Sequence, residues 1–158
     1  MLIYRVRPAT ADDAAFLANV VIEATRAQGR LPDDFGERQW REDFGDWTIK
    51  QIRGDIPDST TSVVEVDDEP AGRLRIARTA SHTELCGIQL LPGIQHHGIG
   101  AAIIEDLKEQ ATAAGLPLEL DVEKDNPDAR KLYERLGFVP VGETAQEYKL
   151  RWSPRPGT

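Results

Sequence analysis

The chain has 158 residues with a formal net charge of −8, 40% hydrophobic and 29% charged residues, a length and composition that support one folded core and exclude a disordered chain. The acidic balance argues against nucleic-acid binders, which present a basic face, and is compatible with a cationic substrate. Cys86 is the only cysteine, so an intrachain disulfide and a cysteine-built zinc site are excluded, while the early charges of the first ten residues and the lack of any apolar run near the roughly 20 residues of a membrane span point to a cytoplasmic protein.

Taken in chain order, residues 3–7 alternate apolar and polar side chains and read as a strand. Thr10, followed by Asp12 and Asp13, starts a helix whose apolar positions are Leu17, Val20, Val21 and Ala24, with Gly29 as its stop. A second helix is expected within residues 30–53 from the spacing of Trp40, Phe44 and Trp47, although Gly45 weakens it. That aromatic trio is read either as ordinary core or as the lining of a pocket for an acceptor molecule. Residues 61–66 and 71–79 form a hairpin about the turn Asp67-Asp68-Glu69-Pro70, and residues 84–90 form a further strand.

Residues 101–114 are expected to be helical, with Ile103, Ile104, Leu107, Ala111 and Ala114 on one face and Gly115 as the stop. Residues 118–122 are a strand. Asn126 caps the next helix, Pro127 takes its first position, and Ala129, Leu132, Tyr133 and Leu136 make the apolar stripe before Gly137. Two closing strands fall at 138–141 and 146–152, and residues 153–158 are read as a frayed tail. The order is that of a single α/β domain over residues 1–152 with a mixed sheet.

Between the strand ending at Leu91 and the helix near Gly100 lies Pro92-Gly93-Ile94-Gln95-His96-His97-Gly98-Ile99-Gly100. A helix start offers unpaired N–H groups and partial positive charge, and glycines there let an anion approach the backbone, so this segment is a candidate pyrophosphate cradle as well as a plain strand-to-helix turn. A P-loop needs Lys-Ser/Thr after its glycine, where this chain has Ala101-Ala102, and the dinucleotide fingerprint fails at Ile103, where it needs a third glycine. His96 and His97 are adjacent and lack the H-E-x-x-H context, so no metal site is expected.

Two blocks together resemble the GNAT superfamily of N-acetyltransferases: Leu90-Leu91-Pro92 followed by Gln95-x-x-Gly98-x-Gly100, and Asn126, Ala129, Leu132-Tyr133, Gly137-Phe138. The resemblance is strong over about residues 61 to 142. It implies the GNAT fold: a mixed, mostly antiparallel sheet of six to seven strands, splayed between strands 4 and 5 and flanked by about four helices. It also implies acetyl-CoA as acetyl donor, without a metal. The backbone of Ile88, Gln89, Leu90 and Leu91 would pair with the pantetheine arm like an added strand. Gln95, His96, His97, Gly98, Ile99, Gly100 and Ala101 would hold the pyrophosphate, with one of the two histidines partly protonated beside it. Asn126 would lie by the arm.

Acetyl transfer to an amine requires a neutral amine, a donor for the tetrahedral oxyanion and a proton for the leaving thiolate. The resemblance assigns the thiolate's proton to Tyr133 and the oxyanion to a backbone N–H near Leu90 or Leu91. Glu84 and Asp121 are the candidate bases, acting directly or through a water. Cys86 is not expected to act as a nucleophile. The expected acceptor is a small-molecule or peptide amine, with no nucleic acid and no membrane as partner and a homodimer as one assembly. The competing readings are a non-catalytic acyl-CoA-binding sensor or interaction module on the same fold, and a nucleotide-binding α/β domain.

Overall fold

A computed structural model describes residues 2–56 and 58–155. Seven strands form one sheet in the hydrogen-bonded order β1-β2-β3-β4-β5-β7-β6. They are β1 (Tyr4–Pro8), β2 (Ser59–Val66), β3 (Glu69–Arg78), β4 (Thr83–Leu90), β5 (Leu118–Glu123), β6 (Val139–Glu143) and β7 (Glu147–Trp152). Four α-helices accompany them: α1 (Ala14–Ala27), α2 (Glu37–Ile52), α3 (Ile99–Ala114) and α4 (Pro127–Arg135). β4 and β5 are parallel, and their register runs only from Thr83↔Leu118 to Leu85↔Leu120, although both strands continue beyond it. This short ladder is where the sequence places the splay. Of the expected tail, residues 156–158 lie outside the described residues.

The chain forms two compact units, Met1–Ile76 with Gly87–Gly100, and Ala77–Cys86 with Ala101–Thr158. In the first unit β1 pairs antiparallel with β2 from Tyr4↔Val66 to Pro8↔Ser62. The helix expected after Thr10 begins as a 3-10 turn at Ala11–Asp13, and Thr10 and Asp13 form a capping box. Leu17, Val63 and Ala9 make a buried cluster against which Phe16, Phe44 and Ile52 pack. The β2–β3 turn is tight because Asp67 and Asp68 both adopt positive φ, at 50° and 67°, as a two-residue hairpin requires.

Helix α2 forms despite Gly45, but the residues it buries are polar. Thr48 and Gln51 are 1% and 2% exposed. Gln51 is satisfied by accepting from the Thr61 hydroxyl and donating to the Ser59 carbonyl at 2.7 Å.

In the second unit β5 pairs antiparallel with β7 over six residues, from Leu118↔Trp152 to Glu123↔Glu147. Its apolar interior contains Ile103, Ile104, Leu107 and Ala111 of α3, Leu118 and Leu120 of β5, Phe138 and Leu150. Ala114, assigned to the same face from spacing, is exposed at the end of its helix. The Asn126 side chain accepts from the Ala129 amide at 3.3 Å and so caps α4, with Pro127 in the first turn. Strand β6 is exposed along its whole length, with Val139 at 56% and Val141 at 42%. A bulge between Pro140 and Gly142 interrupts its register with β7.

Candidate active site

The glycine turn sits in the first unit between β4 and α3. A short 3-10 turn at Pro92–Ile94 ends the strand, and the Gln95 side-chain amide folds back to donate to the Leu90 carbonyl at 3.0 Å. His96 and Gly98 both have left-handed backbones, with φ of 67° and 79°. Gly98 takes that conformation without the steric cost that His96 bears. Gly100 is different. A Cβ there would meet only Leu90 Cδ1, at 4.0 Å, so packing within the protein leaves that position open. Helix α3 starts at Ile99, which sets Gly98, Ile99 and Gly100 at the N-terminal end of a helix, where N–H groups and dipole favour an anion. His96 and His97 are exposed beside it.

The strand before the turn has little freedom. The Leu91 amide donates to the Ala71 carbonyl at 2.9 Å, which commits that N–H to β3 and removes it as an oxyanion donor. On one face of the strand the Gln89 side chain accepts from Arg73 Nη1 at 3.0 Å. Arg73 is 6% exposed and lies 5.1 Å from the Phe44 ring centroid. Arg75, two residues on, lies 4.7 Å from the Trp47 centroid and donates from Nε to the Ser59 hydroxyl at 3.0 Å. Trp40 stacks on Phe44 with centroids 4.7 Å apart. Of the aromatic trio, Phe44 packs against the core, as the core reading expected, while Trp47 carries a cation on its face.

The second unit holds the two candidate carboxylate bases, and they share a partner. Lys149 Nζ lies 3.2 Å from Asp121, 3.8 Å from Glu84 and 3.9 Å from Glu119. Burial pulls the Lys149 ammonium down, but the Asp121 hydrogen bond and the charges of Glu84, Asp121 and Glu119 outweigh it and hold its pKa above the ordinary lysine value. Glu84 also meets His82 Nε2 at 3.0 Å, and Arg151 donates to Glu119 at 2.9 Å. His82, Glu84 and Glu119 offer ligand atoms within 4.8 Å of one another. Lys149 and Arg151 already supply positive charge to those carboxylates, so the donor set does not call for a metal ion.

His82, Glu119, Lys149 and Arg151 were missed in the sequence. The signal was present as the spacing of two in Glu119/Asp121 and Lys149/Arg151, which puts each pair on one strand face, but reading it requires knowing that β5 pairs with β7.

Tyr133 packs edge-on against Phe138 with centroids 5.8 Å apart. Burial pushes its phenol up to about 12, so the hydroxyl keeps its proton across the physiological range and remains a donor. Cys86 is exposed, and its thiol faces the Glu84 carbonyl at 3.7 Å.

Residues 24–138 match the acetyltransferase (GNAT) family, and the chain belongs to that family. Among curated relatives, it is 34% identical over 85 residues to a mycothiol acetyltransferase of Sanguibacter keddieii, covering 54% of this chain and 27% of the relative. It is 43% identical over 56 residues to a mycothiol acetyltransferase of Beutenbergia cavernae, covering 35% and 19%. The matched region therefore spans about a quarter or less of those relatives' length. Among solved structures, the PaiA N-acetyltransferase of Thermoplasma acidophilum, determined in complex with coenzyme A, superposes with a TM-score of 0.81 at 18% identity, covering 96% of this chain and 99% of that one. PH1933 of Pyrococcus horikoshii gives 0.75 at 18%, covering 98% and 99%. These likenesses show the GNAT fold, in agreement with the sheet order and the short parallel ladder. Among the described residues no helix is long and apolar enough to cross a membrane.

Proposed function

We propose that this chain is an acetyl-CoA-dependent N-acetyltransferase that moves an acetyl group to a primary amine by direct attack. The observation that carries this reading is the turn from Gln95 to Gly100, with its left-handed Gly98 and unfilled Gly100 at a helix start. In the first unit the backbone of Ile88, Gln89, Leu90 and Leu91 lies along the donor's pantetheine arm, and the turn holds its diphosphate. In the second, Ala101 and Asn126 serve the donor, and Tyr133 serves the leaving sulfur.

The amine nitrogen attacks the thioester carbonyl carbon, the C–S bond breaks, and the coenzyme A thiolate takes a proton from the Tyr133 hydroxyl. The amine's own proton passes to Glu84 or Asp121, directly or through water. Both carboxylates face the Lys149 ammonium, which holds them in place.

The test is thiol release from acetyl-CoA against a panel of primary amines, paired with calorimetric titration of coenzyme A into wild type and Gly100→Glu. Wild type binds coenzyme A and releases thiol with at least one amine, and Gly100→Glu loses binding. Binding without turnover on any amine supports the sensor module instead. Absence of coenzyme A binding overturns both.

A further inference from the structure

We propose that Arg75, seated on Trp47, is the specificity determinant for a carboxylate carried by the acceptor, so that the acceptor is an amine bearing a carboxylate. The inference rests on the acetyltransferase reading above and narrows its substrate class. The overall charge of −8 favours a cationic acceptor in a general way, but the local arrangement is of the opposite sign.

Arg73 and Arg75 alternate along β3 and so face the same side of the sheet, roughly 7 Å apart. Phe44 and Trp47 are three apart on α2 and share a helix face. Each ring carries one guanidinium, at 5.1 Å and 4.7 Å. Arg73 also donates to Gln89, and the hydrogen-bond partner of Arg75 is neutral, the Ser59 hydroxyl. Many other arginines of this acidic chain meet carboxylates: Arg5 and Arg7 meet Glu65, Arg41 meets Glu37, Arg130 meets Glu134 and Arg151 meets Glu119, whereas Arg78 bonds the neutral Gln110. Arg75 uses Nε on Ser59, and its two terminal nitrogens have no hydrogen-bond partner among the described residues.

A guanidinium held over an indole with both terminal N–H pairs unengaged is suited to receive a planar bidentate anion. Arg75 is half-buried, so a ligand reaches it. Arg73 is too buried to be touched and adds positive potential from behind while holding Gln89 on β4. One reachable fork matches a carboxylate better than a phosphate dianion.

The experiment has a turnover arm and a binding arm. In the first, each carboxylate-bearing amine in a panel is matched by its uncharged amide. Wild type is expected to show a KM at least tenfold lower for the carboxylate member, and Arg75→Gln to raise that KM at least tenfold. Arg75→Gln leaves the KM for the amide and for acetyl-CoA unchanged, and Arg75→Lys restores part of the preference. Equal KM values for the two members, or an unchanged ratio in Arg75→Gln, overturn the proposal.

In the binding arm, the Trp47 indole N–H signal, assigned with Trp47→Phe, is followed on adding N-acetylglycine or N-acetylglycinamide. Only the carboxylate is expected to shift it, and only in wild type. A shift by both, by neither, or one that persists in Arg75→Gln overturns the proposal. If no amine is acetylated at all, the enzyme reading fails, and the indole titration still decides whether Arg75 binds a carboxylate.

Discussion

The carbonyl oxygen of Gln89 lies 2.7 Å from where Gly72 would carry a Cβ, and Leu90 Cδ2 lies 2.6 Å from the same point. Strands β3 and β4 meet there without room for a methyl group, and one of the atoms in the way is backbone that cannot rotate aside. Gly72→Ala therefore costs about 1–3 kcal/mol, read as a fall in Tm of roughly 3 to 10 °C. Because the strain falls on the Gln89–Leu90 segment, coenzyme A binding weakens in the same variant, which calorimetry at a temperature below the transition measures.

Asp13 tests the first unit's ion network. The Arg7 guanidinium bonds hold its carboxyl down to about 2 against the opposing effect of burial, with the Thr10 amide assisting. A folded-state value below the unfolded 3.8 stabilises the native state above pH 4, and this contribution is lost as pH falls from about 4 toward 2. Asp13→Asn is expected to lower stability by about 1 kcal/mol at pH 7, since the pair opens partly to solvent. Urea midpoints of variant and wild type should converge at pH 2 to 2.5.

Tyr133 makes the opposite prediction in pH. Its folded-state value, raised from 10 to about 12 by burial, gives a contribution fully present below pH 10 and lost as pH rises toward 12. Wild type therefore loses stability relative to Tyr133→Phe between pH 10 and 12, while below pH 10 their difference is constant. In the proposed reaction Tyr133→Phe lowers kcat by about a hundredfold or more, with coenzyme A affinity nearly unchanged. A kcat within twofold of wild type would remove Tyr133 from the chemistry.

Lys149 joins β7 to Glu84 on β4 and to Glu119 and Asp121 on β5. Lys149→Met keeps the length of the chain and leaves three carboxylates with one fewer cation. The expected loss is about 1 kcal/mol, because the lysine is partly exposed, and it shrinks in high salt, where repulsion among the carboxylates is screened. A denaturant series at low and high ionic strength measures it. A loss independent of salt would assign the residue's contribution to its methylene packing instead.

Much of the frame was legible because local signals and tertiary packing agree in it. Asn126 with Pro127 marks a real helix start, the turn read at Asp67-Asp68-Glu69-Pro70 is real although Glu69 and Pro70 already belong to β3, and Ile103, Ile104, Leu107 and Ala111 make a buried stripe. The glycine turn was readable because Gly98 takes a conformation that few other residues tolerate. Helix α2 was hard to read because what it buries is Thr48 and Gln51, and hydrophobic periodicity is blind to polar burial, which for Gln51 is satisfied by Ser59 and Thr61 of β2. The Lys149 cluster was illegible for a related reason: its members lie on three strands far apart in the chain, and only the β4–β5 and β5–β7 registers bring them together. Commitment of the Leu91 amide to Ala71 is a strand-pairing fact that no side chain announces.

The outermost strand, β6, has a bearing on how this protein behaves at high concentration. An open border of sheet with two bare valines invites other chains to dock along it. Here Pro140 offers no amide hydrogen, and Val141, the surplus residue at the kink, throws the next rung out of step. A chain trying to extend the sheet finds no continuous run of rungs to copy, so the border resists fibril-like growth even though its side chains are greasy. Replacing Pro140 and deleting Val141 together would straighten that border, and the variant is expected to cloud on warming sooner than wild type.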